Sequence, residues 1–213
     1  EYRGLSLTMP LKDVAFEIAT VHDAASSATR ACNTLVCDDV IKGFNTDVVG
    51  FVDALRYRGV TNVRSAAILG TGATARSAAV ALLRMGVPEL TVIGRRAEAG
   101  IDFASWFSGI GGRIAPRLWD EPSSVVDLVI STTPAGATDS RDVPKSPSML
   151  FDVIYAPWPT TYAARWEAAG GTVMSGLDLL VHQAAEQVLL MTGVASSQRE
   201  RIVEAMYASL ADG

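Results

Sequence analysis

Ser65-Ala-Ala-Ile-Leu-Gly-Thr-Gly-Ala-Thr-Ala-Arg76 is the stretch whose reading decides the fold. A short apolar run ends at Gly70. The pattern Gly-x-Gly-x-x-Ala follows across Gly70, Gly72 and Ala75, and an alanine-rich helix pattern, Thr74–Met85, continues until Gly86. The first glycine permits a tight turn, the second lets backbone N–H groups approach a pyrophosphate, and the alanine lets the helix sit close to the strand. The helix N-terminus adds partial positive charge and unpaired donors. Strand, turn and helix together point to a dinucleotide site that uses Gly70, Thr71, Gly72, Ala73 and Thr74.

Working outward, a second apolar run, Leu90-Thr-Val-Ile-Gly94, ends about 20 residues past the loop, where NAD-selective sites carry an acidic residue for the ribose 2′-hydroxyl. Here Gly94 is followed by Arg95 and Arg96, with Glu98 close by. Guanidinium groups attract a 2′-phosphate that a carboxylate would repel. The expected cofactor is NADP. Further strand candidates are Ala66–Leu69, Arg113–Ala115, Leu128–Ser131, Leu150–Val153 and Thr172–Met174, several of them continuous apolar runs such as strands buried on both faces require. Helices fit Ile101–Phe107 and Thr161–Ala169, and two more, about Gly176–Thr192 and Ser197–Leu210, close the chain. The alternation is that of a doubly wound α/β fold.

The 213 residues are 49% hydrophobic and 19% charged, with a net charge of −5. Such a chain can bury a core, and it carries no basic stretch suited to nucleic acid. No apolar run reaches the ~18 residues of a membrane span, and Glu-Tyr-Arg-Gly at the start is not a signal peptide. Cys32 and Cys37 read as two buried thiols in a reducing cytoplasm. His22 and His182 have no cysteine partners at ligand spacing, so no metal is expected; His182 reads as a helix residue.

A nucleotide domain alone does not account for the first 50 residues. They predict a strand at Gly4–Thr8, a helix after Pro10 with Val14, Ile18 and Val21 on one face, a hairpin of Ala31–Val36 and Val40–Phe44 around Asp38-Asp39, and a helix Asp47–Tyr57 capped by Asp47. Val48, Phe51, Val52 and Leu55 line one side of that helix. Lys12 follows Thr8-Met-Pro-Leu at a strand-to-helix junction, Asn33-Thr34 ends a small-residue segment, and Asn45-Thr46-Asp47 precedes a helix. A lysine and an aspartate brought together can share a proton during carbonyl reduction.

In this order the segments resemble the shikimate dehydrogenase family. Gly4-Leu-Ser-Leu-Thr-Met-Pro-Leu-Lys12 is similar to the family's Gly-x-Asn-Val-Thr-x-Pro-x-Lys, with Ser6 and Leu7 as departures. Ala31-Cys-Asn-Thr34 and Gly43-Phe-Asn-Thr-Asp-Val-Val-Gly50 match two further motifs. Ser131-Thr-Thr-Pro-Ala-Gly136, Asp152-Val-Ile-Tyr-Ala-Pro-Trp-Pro-Thr160 and Gly176-Leu-Asp-Leu-Leu-Val-His-Gln-Ala-Ala185 match the later ones. The family's Asn-Arg-Thr clamp for the 2′-phosphate stands here as Gly94-Arg95-Arg96, so only its arginine is kept.

The resemblance implies reversible, NADPH-dependent reduction of 3-dehydroshikimate to shikimate in aromatic amino-acid biosynthesis. It implies Lys12 and Asp47 as catalytic residues, and Thr8, Asn33, Asp47, Tyr155 and Gln183 as substrate contacts. Thr132 and the carbonyl of Gly176 join the cofactor set. The expected organisation is a partial substrate domain at 1–46, a Rossmann-type NADP domain at 47–176, and C-terminal helices at 177–213 returning to the substrate domain. The chain reads as entering in mid-domain, without the family's early Ser-x-Ser. Alternatives are a quinate/shikimate dehydrogenase using NAD or both cofactors, and a catalytically weak nucleotide-binding fragment. The expected assembly is a cytoplasmic monomer or homodimer acting on a small molecule.

Overall fold

The computed structural model describes residues 2–122 and 125–211. The chain divides into two units, Glu1–Arg58 with Asp178–Gly213, and Gly59–Leu177.

The first unit opens with β1 (Gly4–Ser6), α1 (Leu11–Ile18), β2 (Val21–His22), α2 (Ala24–Thr29), β3 (Thr34–Cys37), β4 (Ile41–Phe44) and α3 (Thr46–Tyr57). Its sheet has the order β1-β3-β4-β2. β3 is antiparallel to β1 and to β4, and β2 runs parallel to β4. The hairpin forms around Asp38-Asp39, with Cys37 opposite Ile41 and Thr34 opposite Phe44. α3 packs by the expected side, since Val48, Phe51, Val52 and Leu55 are all buried.

The second unit holds β5 (Ser65–Leu69), α4 (Ala73–Arg84), β6 (Glu89–Gly94), α5 (Ala97–Gly109), β7 (Ala115–Leu118), β8 (Leu128–Ser131), β9 (Met149–Asp152), α6 (Thr161–Ala168) and β10 (Thr172–Ser175). Its six strands are all parallel, in the order β10-β9-β8-β5-β6-β7. The first strand in sequence lies inside the sheet and the chain winds outward in both directions, the doubly wound pattern the apolar runs predict. Ile68, Val92 and Ile130 sit side by side in register, fully buried. On one side of the sheet, Leu69, Ile93, Val129 and Leu150 pack with Tyr162 and Trp166 of α6. Thr160 starts α6 by accepting from the Ala163 N–H at 3.1 Å while donating to Asp152 at 2.9 Å, which ties the end of β9 to the helix.

α7 (Gly176–Thr192) leaves the second unit and from Asp178 onward belongs to the first, followed by α8 (Arg199–Ala211). Arg199 bonds Asp53 at 2.7 Å and Glu186 at 3.4 Å, joining α8 to α3 and α7.

Several local expectations are corrected. The first unit extends through α3 to Arg58, so the boundary falls after 58 and not after 46. Val14 and Ile18 are about half exposed, Lys12 and Ala15 form the buried face of α1, and Val21 lies in β2, paired with Lys42. Asn45 caps α3 by accepting from the Val48 N–H at 3.3 Å, which leaves Asp47 in the first turn with its carboxylate turned to Lys12. β7 begins at Ala115 and contains Pro116; as an edge strand it tolerates a residue without an N–H. α5 begins at Ala97, earlier than expected, and α2 was not anticipated. Cys32 is buried but Cys37 only partly so, and both are free thiols.

Candidate active site and nucleotide loop

In the first unit, four sequence-predicted residues from four segments meet. Lys12 stands at the start of α1, Asn33 just before β3, Asp47 in the first turn of α3 and Gln183 on α7. The backbone sets them there. The Leu7 N–H donates to the Asn33 carbonyl at 2.8 Å, the Asn33 N–H to Phe44 at 3.1 Å, and the Cys32 N–H to Lys12 at 2.9 Å. Gly50 permits the approach of α7 to α3, because a Cβ there would stand 2.9 Å from the Cβ of Gln183 and 3.1 Å from its nitrogen.

Lys12 Nζ lies 2.6 Å from Asp47 Oδ2, and both side chains are over nine-tenths buried. Each charge is therefore compensated, and removing either partner would strand the other out of water. The Asn33 side-chain nitrogen lies 2.9 Å from Asp47 Oδ1, 2.9 Å from Thr46 Oγ1 and 3.2 Å from Gln183 Oε1. Its oxygen accepts from the Thr46 N–H and from the Thr34 hydroxyl, both at 2.9 Å. The result is a buried ammonium–carboxylate pair beside a fixed set of amide donors, an arrangement suited to stabilising charge on a carbonyl oxygen and to holding ring hydroxyls. Thr46 is an unanticipated member of the cluster; its signal was its place between Asn45 and Asp47. Thr8 is exposed on the approach to α1, and its carbonyl accepts from the Leu11 N–H at 2.8 Å.

In the second unit, Gly70 has φ +108°, a conformation that side-chain-bearing residues avoid, and a Cβ there would stand 2.7 Å from Thr132 Oγ1. Thr132 closes the loop from the end of β8 by donating its hydroxyl to Leu69 at 2.8 Å. Gly72 is the N-cap of α4 without a side-chain cap, and the space where its Cβ would be is open to 4 Å. Ala73 and Ala75 are buried under it, and Thr71 and Thr74 are partly buried. A glycine turn, an uncapped helix end and open space in front of it fit a pyrophosphate. Arg95 and Arg96 are both exposed, with Arg96 at the N-cap of α5. Among the described residues no ion pair joins either to Glu98. Tyr155, half exposed, follows β9. Gly176 starts α7 with its N–H donating to the Ile154 carbonyl at 3.0 Å.

Other reactive groups are quiet. Burial pushes the Cys32 thiol up to about 11, so it stays protonated and unreactive. Among the described residues no cluster of His, Cys, Asp or Glu could hold a metal ion, and no helix is long and apolar enough to cross a membrane.

His182, beside Gln183 on α7, is buried against the stacked rings of Tyr57 and Tyr207, and neither of its nitrogens has a hydrogen-bond partner among the described residues. Burial, and next the charge of Arg199, hold its basicity below the usual histidine range; Asp53 and Asp178 oppose this and Arg58 reinforces it. Below an ordinary histidine pKa of ~6.5 the unfolded chain takes up a proton that the folded chain refuses. Stability should therefore fall as pH drops below about 6.5, by at most ~1.4 kcal/mol per pH unit from this group. Thermal melts of the wild type and of His182→Phe check this. The wild-type midpoint should drop more steeply on acidification, and parallel curves would refute it.

No family model matches the chain. It is 30% identical over 209 residues to the shikimate dehydrogenase (NADP(+)) of Aeropyrum pernix, covering 94% of this chain and 76% of that one. Among solved structures it is similar to Mycobacterium tuberculosis shikimate dehydrogenase, at 32% identity and a TM-score of 0.84 over 98% of this chain and 80% of that one. It is also similar to shikimate 5-dehydrogenase from Thermus thermophilus, solved in complex with NADP(H) and shikimate, at 26% identity and a TM-score of 0.79 over 96% and 79%. With motifs, fold and relatives in agreement along nearly its whole length, the chain belongs to the shikimate dehydrogenase family.

Proposed function

We propose that this chain interconverts 3-dehydroshikimate and shikimate with NADP as its redox partner, the first unit holding the substrate and the second the nucleotide. The observation that carries this reading is the buried Lys12–Asp47 pair at 2.6 Å, flanked by Asn33 and Gln183. When bound, the reduced nicotinamide supplies a hydride to the carbonyl carbon. Lys12, as an ammonium, stabilises the negative charge that grows on the carbonyl oxygen and gives it a proton. Asp47 holds Lys12 in place and accepts from a substrate hydroxyl. Asn33 and Gln183 present amides to the remaining ring hydroxyls, with Thr8 and Tyr155 as further contacts. The loop from Gly70 to Thr74 takes the pyrophosphate, Thr132 borders it, and the Gly176 carbonyl accepts from the carboxamide.

The cytoplasm is the proposed compartment, compatible with two free thiols. The proposed assembly is a monomer or homodimer. NADP reduction measured with shikimate as the only electron donor tests the activity itself.

Arg95 and Arg96 are proposed to grip the 2′-phosphate, supported by their exposure and by the absence of any acidic residue at Gly94. Arg95→Ala should weaken NADPH binding about 10- to 100-fold, the worth of a charged hydrogen bond, and leave NADH binding nearly unchanged. If Arg96 carries part of the load, the double variant shows a larger loss. Calorimetric titration with both nucleotides measures this, and equal weakening of the two would contradict it.

A further inference from the structure

Gln187 lies one helical turn beyond Gln183 on α7, is only 7% exposed, and has no part in the roles above. Its amide nitrogen lies 2.9 Å from Thr34 Oγ1 and 3.3 Å from the Asn33 carbonyl oxygen. A carbonyl can only accept, so the Gln187 amide must turn its NH2 group this way. Thr34 is completely buried, leaving no solvent to compete for its hydroxyl. A threonine hydroxyl has a single hydrogen. With its oxygen accepting from Gln187, that hydrogen is free to point at Asn33 Oδ1, 2.9 Å away. A directed relay results, from Gln187 to Thr34 to the Asn33 side-chain oxygen. The Thr46 N–H holds the same oxygen from the other side. The Asn33 NH2 group is thereby turned toward Asp47 and Gln183.

We propose that Gln187 is a positioning residue for the substrate: acting through Thr34, it fixes the donor face of Asn33. This rests on the reading of Asn33 as a substrate contact. An amide free to flip would present its oxygen toward the Asp47 carboxylate, an acceptor facing an acceptor, and would lose its donor toward a ring hydroxyl. Gln187 has its effect by keeping that orientation populated before substrate arrives.

The test is calorimetric titration of shikimate into the nucleotide-free protein, where no hydride acceptor is present and binding is not followed by turnover. Gln187→Met keeps the length of the side chain and removes its donors, and should weaken shikimate binding roughly three- to ten-fold, with NADP affinity unchanged. Thr34→Val should weaken it by a similar factor, and the double variant should add little, since both changes cut one relay. Thr34→Ser keeps the hydroxyl and should restore near wild-type affinity, a rescue that simple packing would not give. Asn33→Ala separates the two levels of the account. If it leaves shikimate affinity intact, the assignment of Asn33 fails and the role of Gln187 fails with it. If it weakens binding while Gln187→Met and Thr34→Val both bind as wild type, the relay alone is overturned. Should Gln187→Met not fold, the valine and serine variants at Thr34 decide: loss in the first with retention in the second supports the relay, and equal affinity refutes it.

Discussion

Replacing Lys12 with alanine is expected to lower the turnover of shikimate by about 10²- to 10⁴-fold, the usual worth of a positioned general acid. NADP affinity should hardly change, because the glycine loop proposed to hold the nucleotide is built from other segments. The same substitution leaves the Asp47 carboxylate, with 6% of its side chain exposed, without its cation. Leaving one member of a buried pair alone costs ~3–5 kcal/mol of stability, so kcat must be measured at a temperature where circular dichroism shows the variant folded. A fall in kcat with kcat/KM falling in proportion identifies an interaction made in the transition state. Near-normal turnover in a folded variant would remove Lys12 from the mechanism.

The largest effect on folding is expected at Trp166. This side chain is 1% exposed and packs edge-on against Tyr162, ring centres 5.6 Å apart, under the apolar face formed by Leu69, Ile93, Val129 and Leu150. Gly171 lies so close that a Cβ there would run into the indole. With so little slack, the site cannot collapse around a smaller residue. Trp166→Ala should cost ~3–5 kcal/mol, the range for truncating a buried aromatic side chain. Urea unfolding checks this: a midpoint lowered at unchanged slope, by a shift that multiplied by the slope gives that loss, is predicted, and a loss below ~1 kcal/mol would show that the cluster relaxes freely.

How much of this could be read from sequence followed from the range of the forces involved. The second unit was legible because its signals are local: continuous apolar strands, a glycine turn and an alanine-rich helix within one short stretch. β7 was misplaced because an edge strand with a proline carries little periodicity, and β2 and α2 are only two and six residues long. The periodicity of α1 showed two faces without showing which one is covered; Val14 and Ile18 turned out exposed while Lys12 is buried. Asp47 fits the capping rule as well as Asn45 does, and the demand of Lys12 for a partner, 35 residues away, decided between them. Asn33 and Gln183 are separated by 150 positions, so their meeting could be anticipated only through the resemblance. Gln187 left no comparable trace, since its role depends on which of many helix positions faces Thr34.

The central claim is that the buried Lys12–Asp47 cluster and the glycine loop serve one redox reaction between shikimate and NADP. The most direct measurement is the appearance of reduced nicotinamide when shikimate and NADP are mixed with the purified protein, with quinate and NAD as comparisons. The account predicts reduction of NADP that depends on shikimate and is faster than with NAD. Tight binding of NADP with no shikimate-dependent reduction, or a clear preference for NAD, would contradict it.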